Sequence, residues 1–269
     1  MKLKLGVLIV GSLDWESKDY GGPCKAELQR HGRKLPDHRK DWRKTFLSSA
    51  PQDEFRVAVP IRYGRPSSSR SNRRDGRTYT MVFSPEYDER PGAAKAVRCK
   101  REVSSIVDLA AEAEELWVAE SSERHRGELS AEWGCVTLVK PDGFLKHPDR
   151  ADREKLLADW NDRTAKESSY GRLAFSGGDE TKGKVIEKGV LQIPWPRMIV
   201  GDDPLRLGDL PLDLLLATAT NPEIKPGGSY PSVAQIADAW RQYGHVYYFH
   251  CNRLCKITTA DDEAIAKLL

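Results

Sequence analysis

Apolar and polar positions along this 269-residue chain predict a mixture of strands and helices. Leu3 to Val10 is a nearly continuous apolar run ending at Gly11-Ser12, and it reads as a first buried strand. Phe55 to Ile61 and Thr78 to Phe83 alternate as strands do, and Asp75-Gly76 supplies turn chemistry between them. Pro85 to Gly92 is a turn-rich connector. From Ser105 to Glu120 the period changes to that of a helix. Ile106, Leu109, Ala110, Ala113, Leu116 and Trp117 form one stripe, and Ser105 with Asp108 resembles a capping box. Trp133 to Val139 then reads as a central strand.

Asp149 to Lys166 is a second helix, introduced by Pro148 and an acidic first turn. Gly177-Gly178-Asp179 is a loop, and Lys184 to Ile193 a further strand ended by Pro194-Trp195-Pro196. Leu210 to Ala219 is expected to be a short apolar helix and Lys225 to Gly228 a turn. Ser232 to Gln242 is an amphipathic helix capped by Ser232, Val246 to Phe249 a strand, and Asp261 to Leu269 a terminal helix capped near Thr259. Between Gly11 and Lys44 the chain is basic and broken by Gly and Pro, with Trp42 and Phe46 as anchors.

Strands and helices do not alternate regularly, so the fold class is α+β. The expected architecture is a mixed or barrel-like sheet with flanking helices and a C-terminal α/β elaboration. A core domain over 1–170 would hold the site, and 171–269 would form a subdomain or elaboration of it. With 39% hydrophobic and 31% charged residues the chain can bury a core. The apolar N-terminus contains Lys4 and lacks a small-residue cleavage site, and no segment is long enough to span a bilayer, which predicts a cytoplasmic protein with no membrane partner. Five scattered cysteines suit a reducing compartment. His245, His250, Cys251 and Cys255 form an incomplete zinc pattern within an apolar run where buried cysteines are ordinary, so neither metal nor cofactor is expected.

Candidate chemistry concentrates in Arg62-Tyr63-Gly64-Arg65-Pro66-Ser67-Ser68-Ser69-Arg70. Three arginines and three serines in one connection suit a carboxylate or phosphate, with guanidinium forks and hydroxyls completing the shell. The same residues also fit a solvated hairpin tip. A second reading joins Arg30, Arg33, Lys34, Arg39, Lys40, Arg43 and Lys44 to the 62–77 segment as a surface for a nucleotide or a nucleic-acid backbone, with Trp15, Trp42 and Tyr63 available for stacking. A net charge of only +3 favours a small anionic partner over a polyanion. P-loop, dinucleotide-binding and serine-elbow motifs are absent.

Three segments together resemble the γ-glutamylcyclotransferase-like group. They are the strand-to-loop Val7 to Leu13, the hairpin Val59 to Ser69 with Arg77 to Val82, and the helix Asp108 to Glu120. The resemblance covers the first half of the chain, and Val10 stands where that group has a tyrosine. It implies that loop amides and hydroxyls around Gly11, Ser12 and Leu13 hold a substrate α-carboxylate. The expected ligand site lies between that turn and Arg62, Tyr63, Arg65, Ser67, Ser68, Ser69 and Arg70, the arginines and serines being its anion contacts. It also implies that Glu120 is the general base on an α-amino group that closes a five-membered lactam. Such a base needs a proton affinity raised by partial burial, which a position at the edge of the apolar face beside Trp117 would supply.

Overall fold

The computed structural model describes residues 1–68, 77–84, 89–167, 169–172, 185–201, 203, 205–222 and 229–269. The expected turns at Asp75-Gly76 and Lys225 to Gly228 and the loop at Gly177 to Asp179 lie outside them, as do Ser69 and Arg70. The protein is α+β, with helices flanking one large mixed sheet.

Strand β1 (Leu3–Ile9) lies at the middle of that sheet. It runs parallel to β12 (Leu214–Thr220) and antiparallel to β5 (Gly92–Val103). Both faces of β1 and β12 are buried, which is why each is a near-continuous apolar run. Beyond β5 come β2 (Glu54–Val59), β10 (Arg197–Ile199) and β11 (Leu207–Gly208). On the other side β12 pairs with β7 (Gly134–Val139), followed by β9 (Val190–Leu191) and β8 (Ile186–Glu187), with β6 (Ser130–Ala131) also on β7. A separate two-stranded sheet joins β3 (Ile61–Ser68) to β4 (Arg77–Phe83).

The helices are α1 (Ser12–Glu16), α2 (Lys25–Arg30), α3 (Asp37–Phe46), α4 (Ile106–Glu120), α5 (Arg150–Ala165), α6 (Ser169–Arg172), α7 (Val233–Tyr243), α8 (Val246–Leu254) and α9 (Asp262–Ala266). Helix α4 starts at a reciprocal capping box between Ser105 and Asp108, and α7 at one between Ser232 and Gln235. Strands from 1–170 and 171–269 share the main sheet, with β12 between β1 and β7.

Four expectations are corrected. Leu210 to Ala219 is not a helix; Leu214 onward forms β12, because an apolar run with no stripe satisfies strand and helix equally until pairing partners on both edges decide. Val246 to Phe249 is the first turn of α8 rather than a strand: Tyr247, Tyr248 and Phe249 are all buried, so tertiary packing overrides the β propensity of these side chains. The strand expected over 184–193 is a tight hairpin, with Lys188 and Gly189 both at positive φ (51° and 72°) as a two-residue primed turn requires. Finally, Arg62 to Ser68 is not a loop but most of β3, paired with β4.

Candidate functional site

The chain leaves β1 through Gly11, whose φ of 96° is ordinary only for glycine. A Cβ there would also lie 2.6 Å from the Tyr248 hydroxyl. This turn starts α1 and places Ser12 and Leu13 on the wall of a cavity of about 780 Å³. Helix α4 delivers Glu120 to the same cavity from its C-terminal end, β3 delivers Arg65 and Ser67, and β12 delivers Thr218 and Thr220. In β3 a bulge at Gly64 resets the two-residue alternation. Tyr63 pairs with Met81 whereas Arg65 pairs with Thr80, so Tyr63 goes to the core and Arg65 to the cavity.

Arg39 on α3 ties these elements together. Its guanidinium donates to the Ala119 carbonyl at 2.9 Å and the Glu120 carbonyl at 3.1 Å, occupying the exposed carbonyl end of α4 where a cation is favoured. The same group donates to Ser12 Oγ at 3.3 Å, to the Glu16 carboxylate, and to Glu120 Oε2 at 3.4 Å. Burial pushes the Glu120 carboxyl above the usual carboxylate range. Arg39 opposes that push, Glu16 adds to it, and Arg65 and Thr218 oppose it more weakly. Thr218 Oγ1 is buried on the β12 side of the cavity.

Trp133 forms an aromatic part of the wall. It stacks on the buried Trp117 with centroids 4.8 Å apart, and the Arg65 guanidinium lies 5.0 Å from its ring centre. A carboxylate of raised proton affinity, a guanidinium, several hydroxyls and an indole therefore converge on one space. Such a set can hold a small polar molecule and accept a proton from it.

A second ionic assembly lies behind α1. Asp14 is fully buried and meets Lys95 at 2.9 Å, Lys18 at 3.3 Å and Arg43 at 3.3 Å. Lys95 and Arg43 also reach Glu54, both at 2.8 Å. Burial pushes Asp14 up, but Lys95, Lys18 and Arg43 together hold its carboxyl below the usual range. Glu54 is likewise held low against burial by Lys95 and Lys18.

Of the residues singled out by sequence, Ser12, Leu13, Arg65, Ser67 and Glu120 line the cavity, with Gly11 at its turn. Arg62 does not line it; its guanidinium lies 4.1 Å from the Tyr230 ring centre. Tyr63 is buried edge-on against Trp240, 4.7 Å between centroids, and does not line the cavity. Ser68 ends β3. Trp15 and Trp42, considered for stacking, are core residues, and Arg39 and Arg43 point inward.

Sequence reasoning passed over Trp133, Thr218 and Tyr248 as site residues, and it considered Arg39 only as part of a nucleotide or nucleic-acid surface. With Leu214 to Thr220 paired as a strand, the two-residue spacing of Thr218 and Thr220 puts both on one face. His250 meets Glu27 at 3.3 Å, and Cys251 and Cys255 are buried near Cys24. Among the described residues no group of His, Cys, Asp or Glu side chains is arranged to hold a metal. No helix among them is long and apolar enough to cross a membrane. No protein-family model, curated protein or solved structure matches this chain.

Proposed function

We propose that the cavity binds a small carboxylate- or phosphate-bearing molecule and that Glu120 serves as general base there, in a γ-glutamyl cyclotransferase-type reaction. The observation that carries the reading is Glu120 itself. Its carboxyl is raised by burial, lies on the cavity wall, and is held to the Gly11-Ser12 turn through Arg39. Ser12, Arg65 and Ser67 hold the ligand's anionic group. The ligand's α-amino nitrogen bonds to the γ-carbonyl carbon, and the bond from that carbon to the departing amine breaks. Glu120 takes the proton released by the attacking nitrogen and returns it to the leaving one.

Purified protein incubated with a γ-glutamyl amide should release 5-oxoproline and the free amine in equal amounts, as read by mass spectrometry. Glu120→Gln should lower this rate by about 10²–10⁴-fold, the usual worth of a positioned base. Arg65→Ala should weaken binding of the same compound, and both variants should keep the wild-type melting temperature. Unchanged behaviour of both would end the reading.

A further inference from the structure

The cavity is larger than its inner polar end, and its mouth carries side chains with no part in the proton transfer. A helical turn, Glu123–His125, follows α4 and puts Arg124 and His125 on the cavity wall beside Glu132 and Trp133. Arg124 and its neighbour Arg126 differ sharply. Arg126 is engaged by Glu115 and Glu123. Arg124 has no carboxylate partner among the described residues, and its Nε donates to His125 Nε2 at 3.2 Å.

His125 is itself held, with Nδ1 2.7 Å from Glu128 Oε2. Both contacts are satisfied by a single tautomer, the one with the proton on Nδ1. Nδ1–H then donates to Glu128, and bare Nε2 accepts from Arg124. A carboxylate and an imidazole thus orient the guanidinium through Nε alone, leaving its two terminal nitrogens for another acceptor. This fork suits a planar or tetrahedral oxyanion.

We infer that Arg124, oriented by His125 and Glu128, anchors an outer anion subsite at the cavity mouth. The site's ligands are therefore compounds with a second acidic group, a carboxylate or phosphate, distal to the group held at the inner end. The assignment rests on reading the inner end as a ligand seat.

Two measurements on the full chain test the two claims separately. In the first, the arginine Nε–Hε NMR signals are followed while acetate or inorganic phosphate is added, with Arg124 identified by its loss in Arg124→Gln. A saturable shift of the Arg124 signal with either anion supports the subsite, and the anion giving the larger affinity shows which oxyanion it suits. No shift with either overturns the subsite.

The second measurement compares γ-glutamylglycine with γ-glutamylethylamide, which lacks the distal carboxylate, by tryptophan fluorescence and by 5-oxoproline release. Wild type should favour the dipeptide by about tenfold, Arg124→Gln should reduce that ratio to about one, and Glu120→Gln should slow release from both by about 10²–10⁴-fold while keeping the binding preference. If neither compound binds while Arg124 still answers to phosphate, the inner-site reading fails and the subsite stands. If both are turned over equally and Arg124→Gln changes nothing, the subsite fails and the inner-site reading stands.

Discussion

Helix α3 sends two arginines one turn apart into two carboxylate environments with opposite outcomes. Arg43 helps to hold Asp14 below the usual carboxylate range, whereas Arg39 leaves Glu120 above it. The arginine is the same, so the difference lies in what surrounds it. Asp14 is met by three cations, none farther than 3.3 Å. Glu120 receives one guanidinium contact at 3.4 Å, from an arginine it shares with Glu16 and two backbone carbonyls. Desolvation acts on both carboxylates and is overcome only where several cations converge. The first region is therefore a closed ionic joint between β5, α1 and α3, and the second a partly satisfied site with spare hydrogen-bonding capacity.

The largest effect is expected from opening the closed joint. Asp14→Asn leaves Lys95, Lys18 and Arg43 with one carboxylate among them and should cost about 3–5 kcal/mol in urea unfolding at pH 7. Asp14 and Glu54 have folded-state pKa values below their unfolded ones. Their contribution is thus complete above about pH 4 and lost as pH falls through the folded values. The deficit of the variant should accordingly shrink at pH 3, and a deficit that persists there would mean packing rather than charge dominates.

A third carboxylate sharpens the contrast. Glu112 on α4 is buried, with Arg101 as the cation opposing its burial, and its pKa is pushed up to about 7. Because the folded state holds that proton more tightly, stability falls as pH rises from about 4.5 to 7 and is level above. Glu112→Gln should stabilise the protein by up to about 3 kcal/mol at pH 8 and change little at pH 4. Equal effects at both values would show that Glu112 is not titrating in this window.

The smallest expected effect is at the open site. Arg39→Met removes the main cation opposing burial, so the Glu120 carboxyl should titrate higher still, read by carboxyl NMR. A midpoint that stays put or falls would mean that Arg39 does not control Glu120, and the parallel between the two arginines would be lost.

Several of these residues are legible in the sequence alone. Glu120 at the edge of a helical stripe, the turn at Gly11-Ser12, and Arg65 and Ser67 can each be picked out because each depends on a motif within a few residues. Arg39 cannot, since its partners Ala119 and Glu120 lie about eighty positions away and its own segment has no apolar stripe beyond Trp42 and Phe46. The arginines of β3 are legible as a group, but the bulge at Gly64, which sends Tyr63 to the core and Arg65 to the cavity, depends on pairing with β4. Strand β5 escapes a local reading because Gly92-Ala93-Ala94-Lys95-Ala96 has no strand signature of its own, although it pairs with both β1 and β2.

By itself the sequence determined the α+β class, the buried first strand, and the starts of α4 and α7, whose capping boxes close within three residues. These features rest on local sterics and short-range hydrogen bonds that one segment supplies. Tertiary structure alone decided that Leu214 to Thr220 is a strand, that Val246 to Leu254 is a helix, and that Arg39 and Arg43 serve carboxylates in separate environments. The reason is physical. An apolar run or a long cation has several local states of similar free energy, and only partners brought together from distant positions separate them.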